Sequence, residues 1–312
     1  MRVFVAGASG VIGRPLIRQL REAGHQVTGT TRSAEKAQAL RAAGATPVVV
    51  DAFDTDGLRR AVDEAGPDAV IHELTALPQV YDTRHYERTI GPTNRLRTEV
   101  TPVLIEAGRE AGARRFISQS ICFMYEFEGD AVKDERAPIL QRGPAPMVAG
   151  ARATGTMEDM VTGAQGLEGV VLRYGQFYGP GTYYASDGSM AREVTRRRFP
   201  IVGDGGGMFS FVHLDDAASA TVLALDRGAP GIYNVCDDEP APLREWLPVF
   251  ARALGAKPPR RVPRWLARVV AGAPAAISAT ELRGASNAKA KRELGWSPRY
   301  PSWRQGFAEA LG

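Results

Sequence analysis

Three glycines, Gly7, Gly10 and Gly13, stand at GxxGxxG spacing directly behind a hydrophobic run, Arg2-Val-Phe-Val-Ala6. Glycines so placed do one kind of chemistry well: they bring backbone N–H groups against phosphate oxygens. Gly7 lets a strand turn tightly, Gly10 lets the backbone approach a pyrophosphate, and Gly13 lets the next helix pack close to its sheet. The start of that helix adds the positive end of a dipole where the phosphates would lie. The triplet gains weight from its setting, behind a strand and ahead of an amphipathic segment carrying Leu16, Ile17 and Leu20. Ser9, Val11 and Ile12 complete the turn and are expected to line the same phosphates.

Such a turn needs a sheet to hold it, and the chain supplies one. Residues 2–6, 25–30, 47–50, 69–72, 115–118 and 170–173 read as strands, separated by helical segments at 12–23, 34–43, 55–65, 93–111 and 149–162. Strands alternating with helices of this length predict βαβ units and a Rossmann-type α/β fold, a doubly wound parallel sheet whose ligand crevice lies at the strands' C-terminal ends. After residue 174 the texture changes to Gly, Tyr and Pro, then to helices broken by prolines. The expected division is a dinucleotide-binding domain over 1–174, with 211–236 returning to it, and a smaller interleaved substrate lobe from 175–210 and 237–312.

Composition narrows the partners. The net charge is +4 over 312 residues, and only five of the 39 basic residues are lysines. The densest basic run, Arg196-Arg-Arg198, lacks interleaved aromatics beyond Phe199 and reads as a helix end or an anion contact rather than a nucleic-acid surface. No apolar run reaches membrane-spanning length. The two cysteines, Cys122 and Cys236, suit a reduced cytoplasm and offer no metal-ligand spacing. The expectation is a cytoplasmic protein acting on a small-molecule substrate, with no metal, nucleic acid or membrane involved.

Several motifs in order resemble the extended short-chain dehydrogenase/reductase family, also called the NAD-dependent epimerase/dehydratase family. Ala6-Gly-Ala-Ser-Gly-Val-Ile-Gly13 is similar to its TGxxGxxG, and Asp51, followed by Ala52, to the aspartate that holds the adenine. Val70-Ile-His72 resembles the end of its fourth strand, beyond which Glu73, Leu74 and Thr75 are expected along the cofactor. Phe116-Ile-Ser-Gln-Ser120 resembles the fifth strand with its catalytic Ser/Thr, and Leu172-Arg-Tyr-Gly-Gln-Phe-Tyr-Gly-Pro180 the loop that touches the nicotinamide. Ser118 and Tyr174 are therefore expected cofactor contacts. Phe211-Val-His-Leu-Asp-Asp216 and Leu294-Gly-Trp-Ser-Pro298 match two further family segments. The family also pairs helices into a four-helix bundle, which implies a homodimer through residues 93–111 and 146–163.

The second strand ends Gly29-Thr-Thr-Arg-Ser33 without the acid that holds the ribose of NAD. Arg32 instead offers a planar fork to a 2′-phosphate, Ser33 a hydroxyl, and Lys36 a charge one turn on. NADP(H) is the expected cofactor in preference to NAD(H); the plainer alternative has Arg32 stacking on the adenine of NAD.

The family's catalytic Tyr-x-x-x-Lys pair is missing. Four residues after the nine tyrosines stand His85, Ile90, Gly129, Tyr178, Thr182, Asp187, Gly188, Asp237 and Arg304, and no lysine occurs between Lys133 and Lys257. Anchoring the helix on Glu158 puts Gly150 at the tyrosine position and Thr154 at the lysine position. The chain thus resembles an atypical branch of the family. Ser120 is the expected surviving catalytic hydroxyl, with Tyr125 and Tyr178 as the proton donors to test. Tyr81, His85, Tyr86, Tyr183 and Tyr184 lie in neighbouring loops, where a packing role is the plainer reading. His213 reads as a hydrogen-bonded structural histidine, and Asp215 and Asp216 as caps of the following helix. The leading functional expectation is an NADPH-dependent carbonyl reductase. The alternatives are a redox-neutral epimerase or dehydratase, a non-enzymatic NADP(H) sensor, and a non-redox catalyst on the same fold.

Overall fold

A computed structural model of the chain describes residues 1–80, 82 and 84–311. The chain opens with β1 (Arg2–Ala6), α1 (Gly13–Glu22), β2 (Gln26–Thr31), α2 (Ala34–Ala42), β3 (Thr46–Val49), α3 (Thr55–Ala65) and β4 (Ala69–His72). Val3 to Ala6 are all buried, as a central parallel strand covered on both faces must be. α3 shows how the sequence sets its own limits: the Asp54 carboxylate accepts from Gly57 N at 3.0 Å, and Gly66 closes the helix at φ +48°.

The next helix begins at Tyr86, earlier than the expected 93. It runs as α4 (Tyr86–Arg95), a π-helical turn over Leu96–Val100, and α5 (Thr101–Glu110). Pro92 and Pro102 each remove a ladder donor, and the π-helical turn lies between them, shifting the hydrogen-bond register. β5 (Arg115–Ile121), the short β6 (Val132–Lys133), α6 (Ala145–Thr162) and β7 (Glu168–Tyr174) follow. Then come β8 (Gln176–Tyr178), α7 (Ser189–Thr195), β9 (Ile201–Val202), β10 (Met208–Phe209), β11 (Phe211–His213), α8 (Leu214–Leu223) and β12 (Gly231–Val235). Beyond the short β13 (Ala241–Pro242) the second lobe adds α9 (Leu243–Ala253), and past the short β14 (Arg261–Val262) come α10 (Arg264–Ala271) and α11 (Ala273–Glu281).

The main sheet has seven parallel strands in the order β12-β7-β5-β4-β1-β2-β3. The strand order reverses at β1, so the crevice of the fold opens above β1 and β4. One core lies under α1 and α8, with Leu16, Ile17, Val212 and Tyr233. Another lies under α3, α5 and α6, with Phe4, Leu58, Leu104 and Phe116. The second lobe has its own aromatic core around Trp246, Phe211, Phe250 and Phe307. α8 packs against α1, and β12 forms an edge of the main sheet beside β7. Ala290, Leu294 and Trp296 pack into the α1–α8 core, where the Trp296 indole donates to Asp216 O at 3.1 Å. No helix among the described residues is long and apolar enough to cross a membrane.

Candidate functional site

The glycine loop is built by close backbone approach. Gly7 sits at φ +92°, and a Cβ there would stand 2.8 Å from Glu73 C and O. A Cβ on Gly13 would stand 2.0 Å from Ala8 O, so only glycine lets α1 approach the loop this closely. Gly10 N donates to Gly7 O at 2.9 Å and Gly13 N to Gly10 O at 3.1 Å. Gly10 and Val11 are exposed, Ser9 is partly so, and Ile12 is buried as the first helix anchor. No side chain caps the N-terminus of α1, which leaves its dipole end for an outside anion.

The residues flanking this loop fit a dinucleotide. Arg32 is exposed at the end of β2 and makes no hydrogen bond or ion pair among the described residues. The neighbouring Ser33 hydroxyl accepts from Lys36 N at 3.3 Å, so its first duty is to cap α2. Asp51 is exposed past β3, its carboxylate accepting from Phe53 N at 2.9 Å, while Ala52 is buried. These residues would lie on the adenosine side of a dinucleotide held by the loop. The rest of a dinucleotide must then run over the ends of β4, β5 and β7. There Leu74 is half-buried and Thr75 exposed.

Glu73 lies at that end of β4, only 4% exposed. Its Oε1 is 3.1 Å from the Tyr174 hydroxyl, which is 2.6 Å from Thr221 Oγ1 on α8. Its Oε2 has no hydrogen-bond partner among the described residues. Burial pushes its carboxyl up to about 8. His72 turns to the opposite face, where its ring contacts Thr101 Oγ1 at 3.2 Å and accepts from Leu74 N at 3.2 Å. Burial lowers it to about 4, so it is neutral.

The expected catalytic hydroxyls lie elsewhere. On β5, side chains alternate, and Ser118 and Ser120 both face α6. Ser118 is fully buried, its hydroxyl 3.5 Å from Met157 Sδ. Ser120, 1% exposed, donates to Glu158 Oε1 at 2.6 Å. The same carboxylate takes Arg173 Nε at 2.7 Å and Nη2 at 2.5 Å, a bidentate pair buried on both sides. Arg173 Nη1 reaches the Tyr125 hydroxyl at 3.0 Å, and that hydroxyl donates to Asn234 Oδ1 at 2.7 Å. Burial raises the Tyr125 phenol above its ordinary value. Ser120 and Tyr125 are thus brought together, but as two ends of a chain centred on Glu158 and Arg173, with their hydrogen bonds already spent. Tyr178 is apart from both, fully buried in the second lobe. It packs edge-on to His213 and Phe307, with no hydrogen-bond partner for its hydroxyl among the described residues and its phenol raised by burial.

The other candidates are also structural. Tyr184 is buried in the aromatic core, the Tyr183 hydroxyl donates to Pro78 O at 2.5 Å, and His85 pairs with Asp82 at 2.8 Å in the open. Tyr86 is buried, and Tyr81 lies outside the described residues. The cap of α8 is His213, whose Nδ1 accepts from Asp215 N at 3.2 Å, rather than either aspartate. Asp215 pairs with Arg18 at 2.6 Å, and Asp216 accepts from Arg299 N at 2.7 Å and Tyr300 N at 3.0 Å. At the two family positions, a Cβ on buried Gly150 would lie in van der Waals contact, 3.8 Å, with Ile90 and Met124, and the Thr154 hydroxyl turns back to Gly150 O at 2.9 Å. The surroundings of the tyrosine position are therefore apolar.

Sequence reasoning missed the roles of Arg173 and Asn234 and used Glu158 only as an alignment anchor. These residues are far apart in sequence, and their meeting depends on α6 lying across β5 and β7.

Known proteins place this architecture. The family model for the NAD dependent epimerase/dehydratase family matches residues 3–236. A 3-diazoavenalumate denitrifying reductase from a Streptomyces species is 46% identical over 309 residues, 98% of this chain and 99% of that protein. A 2-alkyl-3-oxoalkanoate reductase from Stenotrophomonas maltophilia is 28% identical over 267 residues, 82% of this chain and 76% of that protein. The crystal structure of Thermus thermophilus UDP-glucose 4-epimerase complexed with NAD superposes with a TM-score of 0.74 at 24% identity, covering 100% of this chain and 98% of that one, a likeness of fold. With a glycine cradle that fits a dinucleotide, a family model spanning most of the chain and reductases among its relatives, this is an NAD(P)-dependent enzyme, and the chain belongs to the NAD-dependent epimerase/dehydratase family.

Proposed function

We propose that the chain is an NADPH-dependent reductase whose substrate accepts hydride without a proton from the protein, a small organic diazo compound reacting as its diazonium. One observation carries this reading: among the described residues, no free acid stands on the β5–α6 side of the crevice. Ser120 is committed to Glu158, Tyr125 to Asn234, and the usual tyrosine position is Gly150. Reducing a carbonyl leaves an alkoxide that must be protonated, so a site without an acid forgoes much of the acid–base term, typically 10²–10⁴-fold. Bound NADPH supplies a hydride, and a diazonium cation that gains hydride and loses dinitrogen becomes R–H with charge and electrons balanced and no proton required. The name of the Streptomyces relative, a denitrifying reductase of a diazo compound, points the same way.

This chain's residues then have defined work. The glycine loop and the α1 N-terminus hold the pyrophosphate, Arg32 the 2′-phosphate, and the wall formed by Ile90, Met124 and Gly150 keeps water from the reacting carbon. The chain is also proposed to act as a homodimer through α4–α5 and α6. Gly150, Ala151 and Ala153 of α6 are buried within the protomer, so the pairing face would be the exposed Ala149, Arg152, Thr156 and Asp159. Light scattering at micromolar concentration tests this.

The test of function is to mix purified protein, NADPH and a water-stable arenediazonium carboxylate, following nicotinamide absorbance and dinitrogen release against a heat-denatured control. Deuterium carried from labelled NADPH to the carbon that lost nitrogen is the expected result. Rapid turnover of 3-oxo acids, with diazonium loss no faster than in the control, would replace this reading with carbonyl reduction, the activity named for the Stenotrophomonas relative.

A further inference from the structure

Glu73 is a buried acid with no ion-pair partner, at the point where the glycine loop meets β4. Its own backbone is what a Cβ on Gly7 would strike. The polar groups facing it are Tyr174 from β7 and Thr221 from α8. The other neighbours in that layer, among them Ala8, Ile12, Leu16 and Ala217, carry no charge. No charged group shifts its titration; burial raises it and the Tyr174 contact opposes.

The Tyr174 hydroxyl donates to Glu73 Oε1 at 3.1 Å and lies 2.6 Å from Thr221 Oγ1, which is 2.8 Å from Ala217 O. Glu73 Oε2 is buried with no hydrogen-bond partner among the described residues. A carboxyl with one neutral donor and no cation beside it is costly to ionise, and burial pushes it up to about 8.

In a dinucleotide held by the glycine loop, the half beyond the pyrophosphate would cross this end of β4. Its nicotinamide ring is neutral when reduced and cationic when oxidised. We propose that Glu73 is the charge-compensating acid of this site, neutral while the reduced dinucleotide is bound and ionised while the oxidised one is bound, its proton passing to solvent. An opposite charge close to a buried carboxyl favours the ionised form. Glu73 would then hold the oxidised cofactor in place and set the pH at which it leaves. The inference rests on the dinucleotide site alone and not on the identity of the substrate.

The experiment is titration calorimetry of the whole protein with NADP⁺ and with NADPH at pH 7, in two buffers of different ionisation enthalpy. The 2′-phosphate is common to both ligands, so the difference in proton count isolates the nicotinamide charge. The expected result is release of up to about one more proton with NADP⁺ than with NADPH. NADP⁺ affinity should rise by up to about tenfold per pH unit below pH 8, relative to NADPH. Glu73→Gln, which keeps the neutral shape, should bind both ligands and erase both differences. The carboxyl ¹³C shift of Glu73 in the free protein should show it protonated at pH 7. Equal proton counts for the two ligands, or a difference that survives Glu73→Gln, overturns this inference and leaves the reductase reading standing. A protein that binds neither dinucleotide overturns both.

Discussion

The two ends of the crevice are built on different principles. At the β1–β4 end, the site consists of backbone: Gly7, Gly10 and Gly13 shape it, and a single added Cβ at Gly7 or Gly13 would collide with main-chain atoms. At the β5–α6–β7 end, the organisation is a buried side-chain network, Ser120–Glu158–Arg173–Tyr125–Asn234, which holds the sheet to α6. The first end leaves the α1 N-terminus without a side-chain cap, whereas in the second the polar side chains are paired with one another. An enzyme can therefore keep the cofactor half of its inheritance intact while the acid–base half becomes internal bracing.

The largest expected effect tests that bracing. Glu158→Ala leaves the Arg173 guanidinium uncompensated in the interior and should cost about 3–5 kcal/mol in urea denaturation. A loss below about 1 kcal/mol would mean that the network is not structural and would erase the contrast between the two ends. The next effect belongs to Glu73. Its carboxyl is raised from 4.5 to about 8 on folding. Its contribution is thus fully present below pH 4.5 and lost as pH rises through about 8. Glu73→Gln should gain on the native protein over that window, by about 3–5 kcal/mol, and the gap should stay flat above it. Melting curves from pH 5 to pH 9 report the sign directly.

Arg32→Ala sharpens the cofactor end. Losing a charge-assisted contact to the 2′-phosphate should cost about 1.5–3 kcal/mol, weakening NADPH by about tenfold or more with little change for NADH. Equal losses for both dinucleotides would return Arg32 to the adenine-stacking role and NAD to the site. The smallest expected effect is at Ser120. Ser120→Ala removes one hydrogen bond to a buried charged group, about 1–2 kcal/mol of stability, and should leave turnover within about twofold. A drop on the order of a hundredfold, with normal NADPH affinity, would show that this hydroxyl leaves Glu158 to meet the substrate.

The contrast between the ends also explains what could be read from the chain alone. The strands and the glycine loop were legible because hydrophobic runs and glycine spacing are local signals, although β5 runs past the expected residue 118 to Ile121. Gly150 and Thr154 were legible as departures because their positions follow from one helix. What Ser120 does was not. Its spacing is right for a catalytic hydroxyl, but a strand residue faces one layer or the other, and a partner on α6 decides whether the hydroxyl is free. His213, rather than Asp215 or Asp216, capping α8 is a smaller case of the same kind: an imidazole nitrogen accepts as well as a carboxylate, and the shape of the chain chose between them. The early start of α4 was hidden because Pro92 reads as a helix breaker in sequence.

Among the described residues, the segment leaving β4 is fastened to the second lobe through main-chain carbonyls. Tyr183 of the second lobe donates to Pro78 O, and Arg84 of the segment donates to Val270 O. A carbonyl is present whatever residue carries it. Leu77 and Val80 are exposed beside these anchors. The rim of the crevice can therefore change its chemical face by point substitution while its path across the opening stays the same. A lineage carrying this fold could exchange one small-molecule substrate for another there without rebuilding the frame that carries the cofactor.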